Sequence, residues 1–105
     1  MKEFVGGSCF VANEVIDSVI AQAASRMEGV EQVKGFDARN GKLRSHYKNY
    51  ICTKTQDGHL TTMITLSVDR EAKVQEVVHA AQLAVKNEVE SMFGLVCDRV
   101  DVAVI

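Results

Sequence analysis

The chain has neither proline nor tryptophan among its 105 residues. Without proline there are no rigid extended spacers, and this length suits one folding unit, so a single domain over 1–105 is expected. No apolar run approaches the roughly 20 residues of a membrane-spanning helix. The first residues also lack the apolar core of a signal peptide. Neither sign of charge dominates: 12 basic residues against 14 acidic leave −2. That balance argues against a general affinity for nucleic acid or lipid. Cysteine is scarce and odd in number, with Cys9, Cys52 and Cys97 far apart. Reduced thiols in a cytoplasmic protein fit that pattern, and a disulfide framework does not.

Catalytic signatures are missing too. Gly6-Gly7 does not open into a phosphate-binding G-x-x-x-x-G-K loop. His46, His59 and His79 show no close ligand spacing with each other or with the cysteines, so neither metal nor cofactor is expected. Glu88 lies beside an apolar stripe, but a lone carboxylate without a partner is no acid–base pair. No serine or cysteine has the setting of an activated nucleophile. The chain is not expected to be an enzyme.

What is present is a strong alternation of helix and strand signals. Val74, Val77, Val78, Ala81, Ala84, Val85, Val89 and Met92 recur at three- and four-residue steps. They predict one long amphipathic helix from about Asp69, as N-cap, to Phe93. Gln82, Lys86 and Glu90 fall on its polar side. Gly94 supplies the left-handed stop, and a strand follows over Val96–Val104. An earlier helix begins at Asn13, read as its N-cap, with Val15, Ile16, Val19, Ile20, Ala23 and Met27 as its stripe. Asp17 is read as facing water. Gly29 ends that helix as Gly94 ends the other, and a strand is expected over Val30–Phe36. Before the first helix, Gly6-Gly7 reads as a flexible entry and Ser8–Val11 as a short edge strand.

Between the helices, His59–Val68 alternates cleanly, with Leu60, Thr62, Ile64, Leu66 and Val68 on one face. Asp57-Gly58 is a hairpin signal that makes Asn49–Thr55 its antiparallel partner. The expected fold is α+β: a two-layer sandwich of two helices on one face of a mainly antiparallel sheet of about four strands. The stretch from Gly35 to Lys48 reads as a mobile loop, with a ragged hairpin around Asn40-Gly41 as the alternative.

Charge is segregated into this middle region. Lys34, Arg39, Lys42, Arg44, Lys48 and Lys54 face one acid, Asp37, so 34–54 carries +5 and the remainder −7. Phe36, His46, Tyr47 and Tyr50 are interleaved. Lys34, Arg39, Lys42, Arg44, Tyr47 and Lys48 are the candidate interaction surface. It could meet an acidic protein or lipid surface, or hold phosphates and stack bases as a small nucleic-acid-binding module. The plainest reading is a solvated loop that balances acidic helices. Nucleic acid is the weaker prospect, because there is no GXXG clamp and no RNP-like aromatic strand.

The residues also carry a family resemblance. Val11-Ala12-Asn13-Glu14-Val15-Ile16, then Ile20-Ala21, Ala23-Ala24 and Gly29-Val30, form one run. Val74-Gln75-Glu76-Val77, Val89-Glu90-Ser91-Met92, Gly94-Leu95 and Val100-Asp101-Val102 form a second. Together with Asp57-Gly58 before an alternating strand, they resemble the bacterial alkaline shock protein family, also called Gls-type general stress proteins. Two positions depart from its usual pattern: Glu28 where a proline often stands, and Asp69-Arg70-Glu71 where a Tyr-Gly pair is common. The resemblance implies a non-enzymatic role in stress or cell-envelope homeostasis. It implies a protein partner, in some relatives an integral-membrane anchor, which would place a cytoplasmic protein at the membrane surface. Self-association is expected if the last strand lies at a sheet edge.

Overall fold

The computed structural model describes residues 13–105. The readings placed on Gly6-Gly7, Ser8–Val11 and Cys9 lie outside the described residues. Helix α1 (Asn13–Ser25) is followed by strand β1 (Val30–Val33) and a small hairpin of β2 (Phe36–Asp37) and β3 (Lys42–Leu43). A 3-10 turn over Tyr47–Asn49 leads into β4 (Ile51–Gln56), β5 (His59–Val68), helix α2 (Val74–Phe93) and β6 (Val96–Val104). Both helices pack on one face of the four-stranded sheet, giving the α+β sandwich that the periodicity predicts.

The sheet is mixed and has β5 at its centre. One edge of β5 bonds β6 along nearly its whole length, in parallel, from His59↔Val96 to Leu66↔Val104. The other edge is shared end to end. β4 takes the first six residues of β5, from Gln56↔His59 to Ile51↔Ile64, and β1 takes Leu66 to Val68, both antiparallel. The parallel pair follows from connectivity, since α2 carries the chain back along the sheet before β6 begins. Alternation then sets the core: Leu60, Thr62, Ile64 and Leu66 on β5 are all buried, as read.

In β6 one residue breaks the alternation. Leu60 pairs with Cys97 but Thr61 pairs with Arg99, which leaves Asp98 as a bulge. Cys97 and Val100 therefore both face inward, while Arg99 and Asp101 share the open face. Val96 and Val104, at the two ends of the strand, are about half exposed.

Three helix readings change. α2 begins at Val74 after an extended Lys73, not at Asp69. The backbone of Asp69 is occupied otherwise: its N–H donates to Gly29 O at 2.9 Å and its carbonyl accepts from Ala72 N at 3.0 Å. The buried row of α2 is Val77, Ala81, Val85 and Val89, a strict four-residue step, whereas Val74 and Met92 are exposed. In α1, Asn13 is already helical, and the buried arc is turned by about one residue: Asp17 and Ala21 are buried while Val15 is 50% exposed. The cause is the segment after β1, which covers that side of α1.

The two glycine stops differ in detail. Gly94 is left-handed (φ +67°) and its N–H donates to Glu90 O at 3.2 Å, as a helix C-cap. Gly29 (φ +91°) lies where the end of α1 meets α2, and a Cβ there would fall 2.5 Å from Val77 Cγ2.

Candidate functional site

The basic segment is an anchored hairpin rather than a loose loop, the alternative that the turn signal at Asn40-Gly41 had left open. Phe36 pairs with Leu43 and Asp37 with Lys42. The turn is closed by Asp37, whose carboxylate accepts from Arg39 N (3.1 Å), Asn40 N (3.3 Å) and Asn40 Nδ2 (2.7 Å). These bonds, the Asn40 amide first, hold the Asp37 carboxyl below its usual range. Phe36 is buried and Leu43 packs against the core, so two apolar side chains fix the hairpin to the body. Lys34 N–H donates to Thr65 O and Arg44 N–H to Gly35 O, each at 2.8 Å.

Tyr47 completes the anchoring. Gly35 approaches it so closely that a Cβ on the glycine would be 2.9 Å from Tyr47 Cα. The Tyr47 ring is buried at 7% exposure, next to Asp17 of α1, itself 4% exposed. Placing Tyr47 on the interaction surface is therefore corrected: it is a core residue. Its register in the 3-10 turn points the ring inward, where α1 offers the small side chains Ala21 and Ala24. Phe36 is withdrawn in the same way, which leaves His46 and Tyr50 as the exposed rings of the segment.

Asp17 is the functional-looking residue that sequence reasoning missed. Asp17 Oδ1 and Tyr47 Oη are buried without a hydrogen-bond partner among the described residues. Burial pushes the Asp17 carboxyl above the usual range, opposed by the hydroxyls of Thr53 and Tyr47 and by the Lys48 ammonium. Burial and the facing Asp17 carboxyl push the Tyr47 hydroxyl up in turn. The available signal was the row Asp17, Ala21, Ala24, where small residues at helical spacing mark a face under close cover.

The cations distribute around this frame. Arg39 at the turn and Arg44 after β3 line one groove of about 460 Å³ with Val30, Gln32, Phe36 and Asn40, and the acids Glu31 and Asp37 line it as well. Lys42 and Lys48 are exposed outside that groove, Lys34 is half-buried at the turn after β1, and Lys54 lies on the open face of β4. Among the described residues, no ion pair within 4 Å engages these side chains, whereas Lys73–Glu76, Lys86–Glu90 and Arg99–Asp101 are paired. The hairpin thus holds several cations without an ion-pair partner among the described residues on a fixed support, beside the acids Asp37 and Glu31.

Among the described residues, the remaining titratable groups form no second centre. His59 Nδ1 lies 3.0 Å from Asp98 Oδ1 on the surface. Among the described residues, no group of three or more His, Cys, Asp or Glu side chains is placed to hold a metal. Cys52 is exposed, while Cys97 is buried and its thiol is pushed up by that burial. Among the described residues, no helix is long and apolar enough to cross a membrane.

The described residues thus form a two-layer α+β domain that carries a cationic hairpin. Comparison with known proteins places it further. A family model matches residues 2–105, and the chain belongs to the alkaline shock protein 23 family, described as having a cell envelope-related function. No curated protein is similar enough to match. Among solved structures the chain is similar to a MamM-CTD variant, with a TM-score of 0.57, 18% identity, and 90% of this chain and 98% of that one covered. A MamM-CTD of 215–293 gives 0.55, 18%, 88% and 95%. A cadmium form of a further variant gives 0.55, 18%, 88% and 94%. At such identity these structures share the fold.

Proposed function

We propose that this protein is a non-enzymatic interaction module of cell-envelope homeostasis that binds an acidic protein surface through its basic hairpin. The observation that carries this reading is the anchored frame of Phe36, Leu43 and Tyr47, which holds Arg39 and Arg44 in one groove with Lys42 and Lys48 beside it. A preorganised set of cations loses less conformational entropy on binding than a loose loop would. Its charge also steers acidic partners and sets specificity. The partner is an envelope protein, integral to the membrane or held at it, and this docking puts a chain from the cytoplasm at the membrane face.

The burial of Phe36 and Tyr47 removes two of the four rings that base stacking would use, so protein is favoured over nucleic acid. The test is a crosslinked pull-down from a native lysate with its membrane fraction, comparing wild type with Arg39→Ala/Lys42→Ala/Arg44→Ala. Recovery of one envelope protein by wild type and its loss from the variant is the expected result. Equal recovery by both would show the hairpin to be solvated surface. A yield consisting of RNA, lost on nuclease treatment, would replace this reading with the nucleic-acid one.

A further inference from the structure

The seam between α1 and the segment that crosses it has a polar centre. Asp17 and Tyr47 meet there, both buried, and each keeps one oxygen without a hydrogen-bond partner among the described residues. The Thr53 hydroxyl of β4 also acts on the Asp17 carboxyl, and it is already bonded to Thr62 Oγ1 of β5 at 2.8 Å. Two charged groups act on Asp17. Lys48, next to Tyr47 in the 3-10 turn, attracts its carboxylate, and Glu14, one turn earlier on α1, repels it. The other elements packed here bring no charge inward. β1, β2 and β3 give Val33, Phe36 and Leu43 to the core, and the buried row of α2 is Val77, Ala81, Val85 and Val89. A carboxylate in such a place is costly, whereas a protonated carboxyl can donate to Tyr47 Oη or Thr53 Oγ1.

Tyr47 is also what holds its stretch of chain down. Between Arg44 and Tyr50 it is the one buried residue. Its N–H donates to Arg44 O at 3.1 Å, and its carbonyl accepts from Tyr50 N at 2.8 Å. The seat of one ring on α1 therefore fixes the turn that follows the basic hairpin.

We infer that Asp17 and Tyr47 form a proton-operated latch: the neutral carboxyl seats the 3-10 turn on α1, and loss of its proton favours a partly open state in which the turn lifts while the sheet stays intact. In the open state the carboxyl meets water and holds its proton with ordinary affinity. In the closed state burial strengthens that hold. The closed state is thus fully stabilised below the ordinary carboxyl value, and this stability is lost as pH rises through the folded one. Within that window the open population should grow by up to about tenfold per pH unit, and above it should level off. The Tyr47 hydroxyl, itself pushed up, keeps its proton throughout. The latch goes beyond the docking reading and stands whether or not the hairpin binds a partner.

Hydrogen exchange on the full chain tests it between about pH 4 and pH 8, with each rate expressed as protection relative to an unstructured peptide at the same pH. The reporters are the amides of Tyr47, Asn49 and Tyr50, which donate to Arg44 O, His46 O and Tyr47 O. Their protection should fall by up to about tenfold per pH unit. The fall should end where the Asp17 carboxyl, followed by carbon-13 NMR, finishes titrating. In Asp17→Asn, whose amide can donate to the same two hydroxyls, protection should not change with pH. The amides of β6, on the far side of β5 from β4, should keep their protection in both proteins. An imidazole titrates in the same range, and His46 is present in both proteins. A fall shared by wild type and Asp17→Asn would therefore overturn the latch. So would flat protection in wild type, or an equal fall in β6, which would mean that the whole fold loosens. If Asp17→Asn does not fold, wild type decides alone: a fall that continues past the Asp17 titration refutes the inference.

Discussion

Gly29 offers a quantitative test of how α1 and α2 are held together. Replacing it with alanine adds a Cβ 2.5 Å from Val77 Cγ2 and 3.2 Å from Ala72 Cβ. Carbon atoms prefer about 3.5–4.0 Å, so the first contact overlaps by about 1 Å. Val77 cannot easily yield, because it is buried and its β-branched side chain is stiff on a helix. Overpacking of this kind costs about 1–3 kcal/mol. The positive φ of +91° adds about 1–2 kcal/mol for any residue with a Cβ. Gly29→Ala should therefore lose about 2–5 kcal/mol, which at roughly 4–8 °C per kcal/mol lowers the melting temperature by at least about 8 °C. Gly94→Ala is the control, since Gly94 is also left-handed (φ +67°) but has no atom within 4 Å of the added Cβ. It should lose only the conformational part. Urea unfolding followed by far-UV circular dichroism, on both variants and on each in a Val77→Ala background, separates the terms. Removing Val77 Cγ2 should make Gly29→Ala no worse than Gly94→Ala. If Gly29→Ala costs the same with and without Val77, the close approach of the helices is not what the glycine serves.

Asp17→Asn should raise stability at neutral pH. The folded carboxyl lies above its ordinary value through burial, so the stability tied to its protonated form is complete below the unfolded value and lost as pH rises through the folded one. The difference in urea midpoint between variant and wild type should be largest near pH 7 and shrink towards pH 4; a constant difference would refute it. In a Cys9→Ser background, Cys52 should react quickly with a thiol reagent and Cys97 only after opening of the fold; one fast phase for both would contradict the burial of Cys97. Asp37→Ala removes three hydrogen bonds that close the hairpin turn. The amides of Arg39 and Asn40 should then exchange faster, and unchanged rates would mean that the turn is held by Phe36 and Leu43 alone.

The elements that the sequence made legible are those with one wet and one dry face. β5 alternates because one side meets both helices, and its inward set was readable residue by residue. The end of α2 was readable because a left-handed C-cap favours glycine. What was hidden depended on contacts from distant parts of the chain. Asp17 looks solvent-facing until the segment 36–50 folds over α1, and Tyr47 looks like a surface ring until Gly35 admits it to the core. The Asp98 bulge leaves no composition signal at all. Gln82, Lys86 and Glu90 read as an ordinary polar face, yet their side chains bond the backbone of β6. The cations of the candidate site were visible as a run of like charge. Their support was not, because Phe36, Leu43 and Tyr47 declare themselves only through burial.

The sharing of one edge of β5 by two strands sets the order in which the molecule can open. β4 covers His59–Ile64 and β1 covers Leu66–Val68, while Lys34 N–H bridges the gap by donating to Thr65 O. β6 can peel away without disturbing either of them, and the 36–50 segment can detach while β5 keeps all its neighbours. Amides of the flanking strands can thus become accessible through separate partial openings, each with its own free energy. β5 has both edges covered, and its successive amides donate to alternate sides. Those that face β6 should exchange when β6 peels away, and those that face β4 and β1 only when these strands leave, so neighbouring amides of one strand should report two different openings.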